Sequence, residues 1–190
     1  MDSYWEQFKA PFLCFAGFSG VGKTTLVERL VTRFREEGVR VGYYKHDSHQ
    51  FKMDKVGKDT ARVRDAGAGI VAINDPSHFG VLADNDFKQL TITHALERCD
   101  CILIEGYKQS PFNKIVFLGA EGKLPIPADS KGIRAIVHQG TGHLESFVKQ
   151  GIPLFHRDEI EKIFDFVNGH FRNCASELFG AVFVGGQSTR

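Results

Sequence analysis

The sequence predicts an α/β fold: a mostly parallel β-sheet flanked by helices, with a β-hairpin insertion. Three observations carry that expectation. The unbroken apolar run Phe12–Ala16 has the character of a strand buried on both faces, and it enters a glycine-rich loop that opens a helix. Short apolar runs then alternate with stretches of helical spacing, the pattern of right-handed crossovers in a parallel sheet. One pair of runs, 69–74 and 79–83, is separated only by the turn-forming Asp75, Pro76, Ser77 and His78, which suits a hairpin.

In chain order, Leu26, Val27, Leu30, Val31 and Phe34 recur at helical spacing after the loop, and Gly38 follows as a helix end. Residues 39–45 alternate as a second strand and lead into Lys45, His46 and Asp47. Residues 60–66 form a short helix closed by Gly67, the hairpin follows, and 91–98 make another short helix. The run 101–105 is a strand closed by Glu105 and Gly106, and residues 114–118, 133–138 and 152–156 supply three more strands. Asp158 is placed to N-cap a last helix, whose Ile160, Ile163, Phe164, Val167 and Phe171 form one core-facing stripe.

The loop carries chemistry. Gly17, Gly22, Lys23 and Thr24 fit the phosphate-loop pattern G-x-x-x-x-G-K-[ST] without mismatch, and the strand before and helix after are the context that pattern requires. Its glycines let backbone N–H groups point inward at a helix start, where the dipole also favours negative charge. Residues Gly17, Ser19, Gly20, Val21, Gly22, Lys23, Thr24 and Thr25 are therefore the expected nucleotide-binding set, with Lys23 reaching the β/γ-phosphates and Thr24 holding Mg²⁺. A strand that delivers Glu105 beside this loop supplies the acid that orients Mg²⁺ or the attacking water in a P-loop NTPase. Asp47, at the carboxyl end of the second strand, is expected beside the same loop, so Lys23, Asp47 and Glu105 form the expected catalytic set and Thr24, Asp47 and Glu105 the metal ligands. The polar stretch after it, with His46, Asp47, His49 and Asp54, suits a loop that moves with nucleotide state or, as the alternative, a transition-metal site. Lys58, Arg62 and Arg64 mark either a second anion site or a solvated helix face.

With 190 residues, 42% of them hydrophobic and 17 of them Phe, the chain can bury one ample core. A net charge of +1 argues against a nucleic-acid polyanion as the main partner. The first ten residues include Asp2, Glu6 and Lys9 without an apolar core, and no run approaches the length of a membrane span, so a soluble cytoplasmic protein is expected. Cys14, Cys99, Cys101 and Cys174 show no C-x-x-C spacing and are expected as reduced thiols.

The ordered set resembles a known family, the molybdopterin-guanine dinucleotide biosynthesis protein B (MobB) group. The matching pieces are the loop 17–26, then Lys45, His46, Asp47, Asp54, 57–60, Arg62, Arg64 and 66–68, followed by 102–108, Asp158, Glu159, Phe166 and Val167. The resemblance covers about residues 12–171. It implies a homodimeric GTP-binding accessory protein with Mg²⁺ and weak GTP hydrolysis, serving the enzyme that couples GMP to molybdopterin. The [NT]-K-x-D signature of guanine recognition is missing, since His138, Gln139 and Gly140 follow residues 135–137, so GTP against ATP is open from the residues themselves. A P-loop kinase acting on a small molecule, with residues 52–64 as its lid and Asp47 or Glu105 as base, is the alternative. A scaffold that kept the fold and lost hydrolysis is a third reading.

Three segments follow from this reading: a MobB-like domain over 10–171, a polar linker over 172–177, and an apolar strand from Leu178 that leads into Gly185, Gly186, Gln187, Ser188, Thr189 and Arg190. The last segment resembles the opening of a MobA-type nucleotidyltransferase; the alternative is a closing edge strand of the same domain followed by a frayed tail. It implies a fusion of the adapter to the enzyme it assists, with molybdopterin-bearing partners.

Overall fold

β1 (Phe12–Ala16) sits inside a six-stranded parallel sheet with β2 (Val41–Lys45), β5 (Cys101–Glu105), β6 (Lys114–Phe117), β7 (Ile133–His138) and β8 (Leu154–His156), in the order β2-β5-β1-β6-β7-β8. The chain leaves β1 toward β2 and β5 on one side and continues through β6, β7 and β8 on the other. The carboxyl end of β1 is therefore a topological switch point, the place where open α/β sheets bind ligands. The computed structural model describes residues 10–46, 59–127, 130–140 and 144–179. Of these, 10–46 and the residues from 98 onward form one compact unit and 59–97 a second.

In the first unit both faces of the sheet are covered, which is why β1, β5 and β6 are nearly continuous apolar runs. Helices α1 (Lys23–Glu36) and α5 (Ile160–Phe179) lie on one face, where Leu26, Leu30, Phe34, Ile163, Phe164, Val167 and Phe171 pack with Leu13, Phe15, Leu103 and Ile115. Phe34 is fully buried, with ring centroids 4.8 Å from Phe164 and 5.9 Å from Phe171. Above them Arg33 bonds Glu161 at 3.1 Å, tying the two helices at the surface. On the opposite face α4 (Glu145–Lys149) contributes Phe147 to a smaller cluster with Val116, Leu118, Ile126 and Ile136.

The second unit holds α2 (Asp59–Asp65), the antiparallel hairpin β3 (Ile70–Asn74) and β4 (Phe79–Ala83), and α3 (Lys88–Leu96). The turn is built by Asp75, whose carboxylate accepts from the N–H groups of Ser77 and His78 at 2.6 and 2.7 Å, while Pro76 presets the bend. These donors hold the Asp75 carboxyl below the usual carboxylate range.

The predicted α/β class and hairpin are present, with local differences: the helix expected over 91–98 is α3 (Lys88–Leu96), the one expected over 60–66 is α2 (Asp59–Asp65), and four further differences have a visible cause. β2 begins at Val41 rather than 39, because the Val39 N–H bonds Phe34 O at 2.9 Å and Asp100 takes the Arg40 N–H at 2.7 Å. The last strand begins at Leu154 rather than 152, because the Ile152 N–H bonds Phe147 O at the end of α4 and Pro153 has no N–H to give. Residues 157 and 158 form a turn, and Glu159, not Asp158, precedes α5, with its carbonyl accepting from Ile163 N at 3.0 Å. Residues 172–177, read from composition as a linker, are helical and continue α5 to Phe179. Cys174, Ala175 and Leu178 extend the spacing set by Phe171, and Ala, Glu and Leu are strong helix formers, so periodicity outweighs polarity here. Leu178 and Phe179, expected to open a strand, are instead the last residues of α5, and residues 180–190, the rest of the segment that resembles a nucleotidyltransferase start, lie outside the described residues.

Cys14 and Cys101 are buried and Cys99 and Cys174 half-buried, all as free thiols. Burial pushes the thiols of Cys14 and Cys101 up to about 12, which keeps them protonated and unreactive. No helix among the described residues is long and apolar enough to cross a membrane.

Candidate functional site

The loop after β1 curls because Gly20 and Gly22 take positive φ, 75° and 90°. Such alternation turns successive N–H groups to one side and forms an anion-binding concavity. Gly17 is required for a different reason: a Cβ there would lie 2.9 Å from the Cβ of Phe117. Gly22 is also the N-cap of α1, with no side-chain cap and no acidic residue in the first turn. Among the described residues no side chain caps the N–H groups at this helix start, where the dipole favours negative charge.

Side chains complete the concavity. Lys23 Nζ donates to Phe18 O at 2.7 Å and lies 3.9 Å from Glu105 Oε1. Burial lowers the Lys23 pKa, the Glu105 charge opposes that shift, and Lys45 and Lys108 add to it. Thr24 Oγ1 donates to Glu105 Oε2 at 2.8 Å, and Tyr43 OH donates to the same oxygen at 3.1 Å. Glu105 itself is 7% exposed. It is placed by strand register, opposite Phe15 of β1 and Lys45 of β2, and by the His46 N–H, which bonds its carbonyl at 2.8 Å. Burial, followed by the Glu105 charge, raises the Tyr43 pKa to about 12, so Tyr43 stays a donor. Gly106, at φ 121°, turns the chain where a Cβ would meet His46 O at 2.8 Å.

Lys23, Thr24 and Glu105 are therefore brought together as the sequence predicts, with Gly17, Ser19, Gly20, Val21, Gly22 and Thr25 in the loop and at the helix start. Asp47, His49, Asp54 and Lys58 lie outside the described residues. Arg62 stands 4.0 Å from Asp59 on an exposed helix face. Among the described residues no group of three or more His, Cys, Asp or Glu could hold a metal ion.

A family model described as molybdopterin guanine dinucleotide synthesis protein B matches residues 12–139. The chain belongs to the MobB family. A Bacillus subtilis protein described as a probable molybdopterin-guanine dinucleotide biosynthesis adapter protein is 33% identical over 153 residues, 78% of this chain and 87% of that one. The corresponding Haemophilus influenzae adapter protein is 30% identical over 131 residues, 66% and 73% of the two chains. The crystal structure of Bacillus subtilis MobB aligns with a TM-score of 0.63 at 29% identity, covering 84% of this chain and 97% of that one.

Within this MobB fold the structure adds residues that sequence reading missed. Tyr43 lies two positions before Lys45, so both side chains leave β2 on one face, but nothing in the sequence pairs that face with Glu105. Tyr107 takes a positive φ of 48° and stacks on His46 with ring centroids 4.3 Å apart and planes 16° from parallel. That stack clamps the ends of β2 and β5 beside Glu105. Replacing Glu105 by Gln keeps an acceptor for Thr24 and Tyr43 but removes the charge. Nucleotide affinity without Mg²⁺ should then hold within about threefold, while any Mg²⁺-dependent gain should drop roughly tenfold or more. Titrations with and without Mg²⁺ measure this, and an unchanged Mg²⁺ dependence would exclude the expected role of Glu105 as a Mg²⁺ ligand.

Proposed function

We propose that this chain is a GTP-binding adapter of molybdenum cofactor biosynthesis, assisting the attachment of GMP to molybdopterin, with weak GTP hydrolysis. The nucleotide half of this reading is carried by one observation: Thr24 and buried Glu105 hydrogen-bond directly beside Lys23 at an uncapped helix start. The pathway half is supported by the names of the relatives. Lys45, opposite Glu105 in strand register, and Lys108 add positive charge felt at Lys23, which favours a polyphosphate there.

The Thr24 hydroxyl and the Glu105 carboxylate are hard oxygen donors suited to Mg²⁺, and Asp47 is proposed as the third. Mg²⁺ held there with a nucleotide would neutralise phosphate charge. The chain's own groups bind and orient: loop N–H groups hold the phosphates, Lys23 exchanges the Phe18 carbonyl for phosphate oxygens, and Tyr43 keeps the Glu105 carboxylate in place.

The proposed setting is a cytoplasmic homodimer that serves a MobA-type nucleotidyltransferase and molybdopterin-bearing partners. Calorimetric titration with GTP and ATP, with and without Mg²⁺, tests the nucleotide reading: micromolar Mg²⁺-dependent GTP binding is expected, and absence of binding to either nucleotide refutes it. The fusion reading of residues 178–190 is tested by the gene, where an open frame beyond Arg190 supports it and a stop codon there refutes it.

A further inference from the structure

A cleft borders the phosphate loop on the side away from Glu105. Gly22 and Thr25 line it at the start of α1, Phe117 at the end of β6, and Arg157, Asp158 and Ile160 between β8 and α5. Thr24 and Glu105 mark the β5 side of the loop as the end that takes metal and terminal phosphate. A nucleotide bound there runs its ribose and base the other way, toward β6, β7 and β8, and so toward this cleft.

Half-buried Ile160 offers an apolar wall for a face of a base. Among the described residues Asp158 is the only carboxylate lining the cleft. Its turn is tied down from several sides: Arg157 N–H bonds His138 O at 2.9 Å, Glu159 Oε2 accepts from His156 N–H at 2.7 Å, and Asp158 N–H lies 3.4 Å from His156 Nδ1. Asp158 Oδ2 stands 3.3 Å from His156 Nδ1 and Oδ1 3.7 Å from Arg157 Nε, yet the side chain is 69% exposed and open to a ligand. The backbone is thus held while the carboxylate is accessible.

We propose that Asp158 is the base-reading residue of this chain and that it selects guanine. This rests on the reading of the phosphate loop as a nucleotide site. Guanine presents two parallel donors, N1–H and the 2-amino group, which match the two oxygens of a carboxylate. Adenine sets its acceptor N1 beside a single amino donor, so a carboxylate there meets one lone pair with another. An [NT]-K-x-D signature after β7 is not needed if the acid comes from the β8–α5 turn.

The test uses the full chain and its Asp158→Asn variant, titrated with GTP, ATP, xanthosine triphosphate and inorganic tripolyphosphate. The parent is expected to prefer GTP over ATP by roughly tenfold or more. Asp158→Asn should lose about that factor for GTP and gain it for xanthosine triphosphate, whose 2-carbonyl accepts from the Asn amide, while tripolyphosphate affinity holds. GTP affinity unchanged in the variant, or tripolyphosphate affinity falling with it, overturns the assignment. Equal GTP, ATP and tripolyphosphate affinities in the parent overturn base reading and leave the phosphate site standing. No binding of any of the four overturns both.

Discussion

Lys23→Ala is expected to lower nucleotide affinity about a hundredfold or more and to leave the fold standing. The ammonium of Lys23 lies at the mouth of the concavity formed by residues 17–22, where charge-assisted bonds to phosphate are worth roughly 1.5–3 kcal/mol each. Two such bonds lost correspond to about two decades or more in affinity at ~1.4 kcal/mol per decade. In the folded protein the same side chain contributes little net stability. Its bond to Phe18 O is offset by the burial that lowers its pKa, and Glu105 keeps the Thr24 and Tyr43 donors when Lys23 is removed. Stability should therefore change by no more than about 1 kcal/mol. Parent-like GTP affinity in a variant with parent-like circular dichroism and melting would remove the phosphate loop as the binding site.

How much of this was legible in the sequence depends on how local the determinant is. The loop, the helix after it and the strand ending in Glu105 are local patterns, and the structure joins them as expected, with Thr24 on Glu105 across 81 positions of sequence. Competition from outside the strands was not legible. The Asp100 carboxylate that takes the Arg40 N–H shortens β2, and the α4 carbonyl that takes the Ile152 N–H shortens β8, because each partner comes from a different element. Residues 172–177 misled in the opposite way: their polar composition suggested a linker, whereas the repeat running from Ile160 through Phe171 simply continues. Side-chain partners on neighbouring strands, such as Tyr43 for Glu105, depend on sheet order. The order β2-β5-β1 is a tertiary fact that no single stretch encodes.

The second large effect concerns Lys114, which sequence alone placed at the start of a strand and assigned no role. It is fully buried on β6 beside Cys14 of β1. Its Nζ donates to the carbonyl of Ser110 and, at 3.3 Å, to that of Lys131, while its backbone N–H bonds Gly132 O at 2.7 Å. One cation thus joins the turn that leads from β5 into β6 to the turn that leads into β7. The same turns meet at Gly132, where φ is 79° and a Cβ would collide with the carbonyl oxygen of Phe112. Burial lowers the Lys114 pKa, so the charge is retained at a cost that its carbonyl partners offset. Lys114→Ala removes the buried methylenes and strands the two carbonyls, and it should destabilise the protein by about 3 kcal/mol or more. Lys114→Met keeps the packing and also removes the cost of burying a charge, so it should cost only about 1–2 kcal/mol. Urea denaturation separates the two cases. Equal losses in Ala and Met would mean that the carbonyl bonds carry the whole effect, and an Ala loss under about 1 kcal/mol would mean that neither matters. The consequence reaches the site, because the turn that Lys114 fixes begins at Tyr107, whose carbonyl accepts from Ser110 N–H at 3.0 Å and Oγ at 2.8 Å. Tyr107 in turn stacks on His46 next to Glu105. Lys114→Met should accordingly weaken Mg²⁺-dependent nucleotide binding by a few-fold at most, because the charged side chains proposed to meet phosphate and metal are untouched.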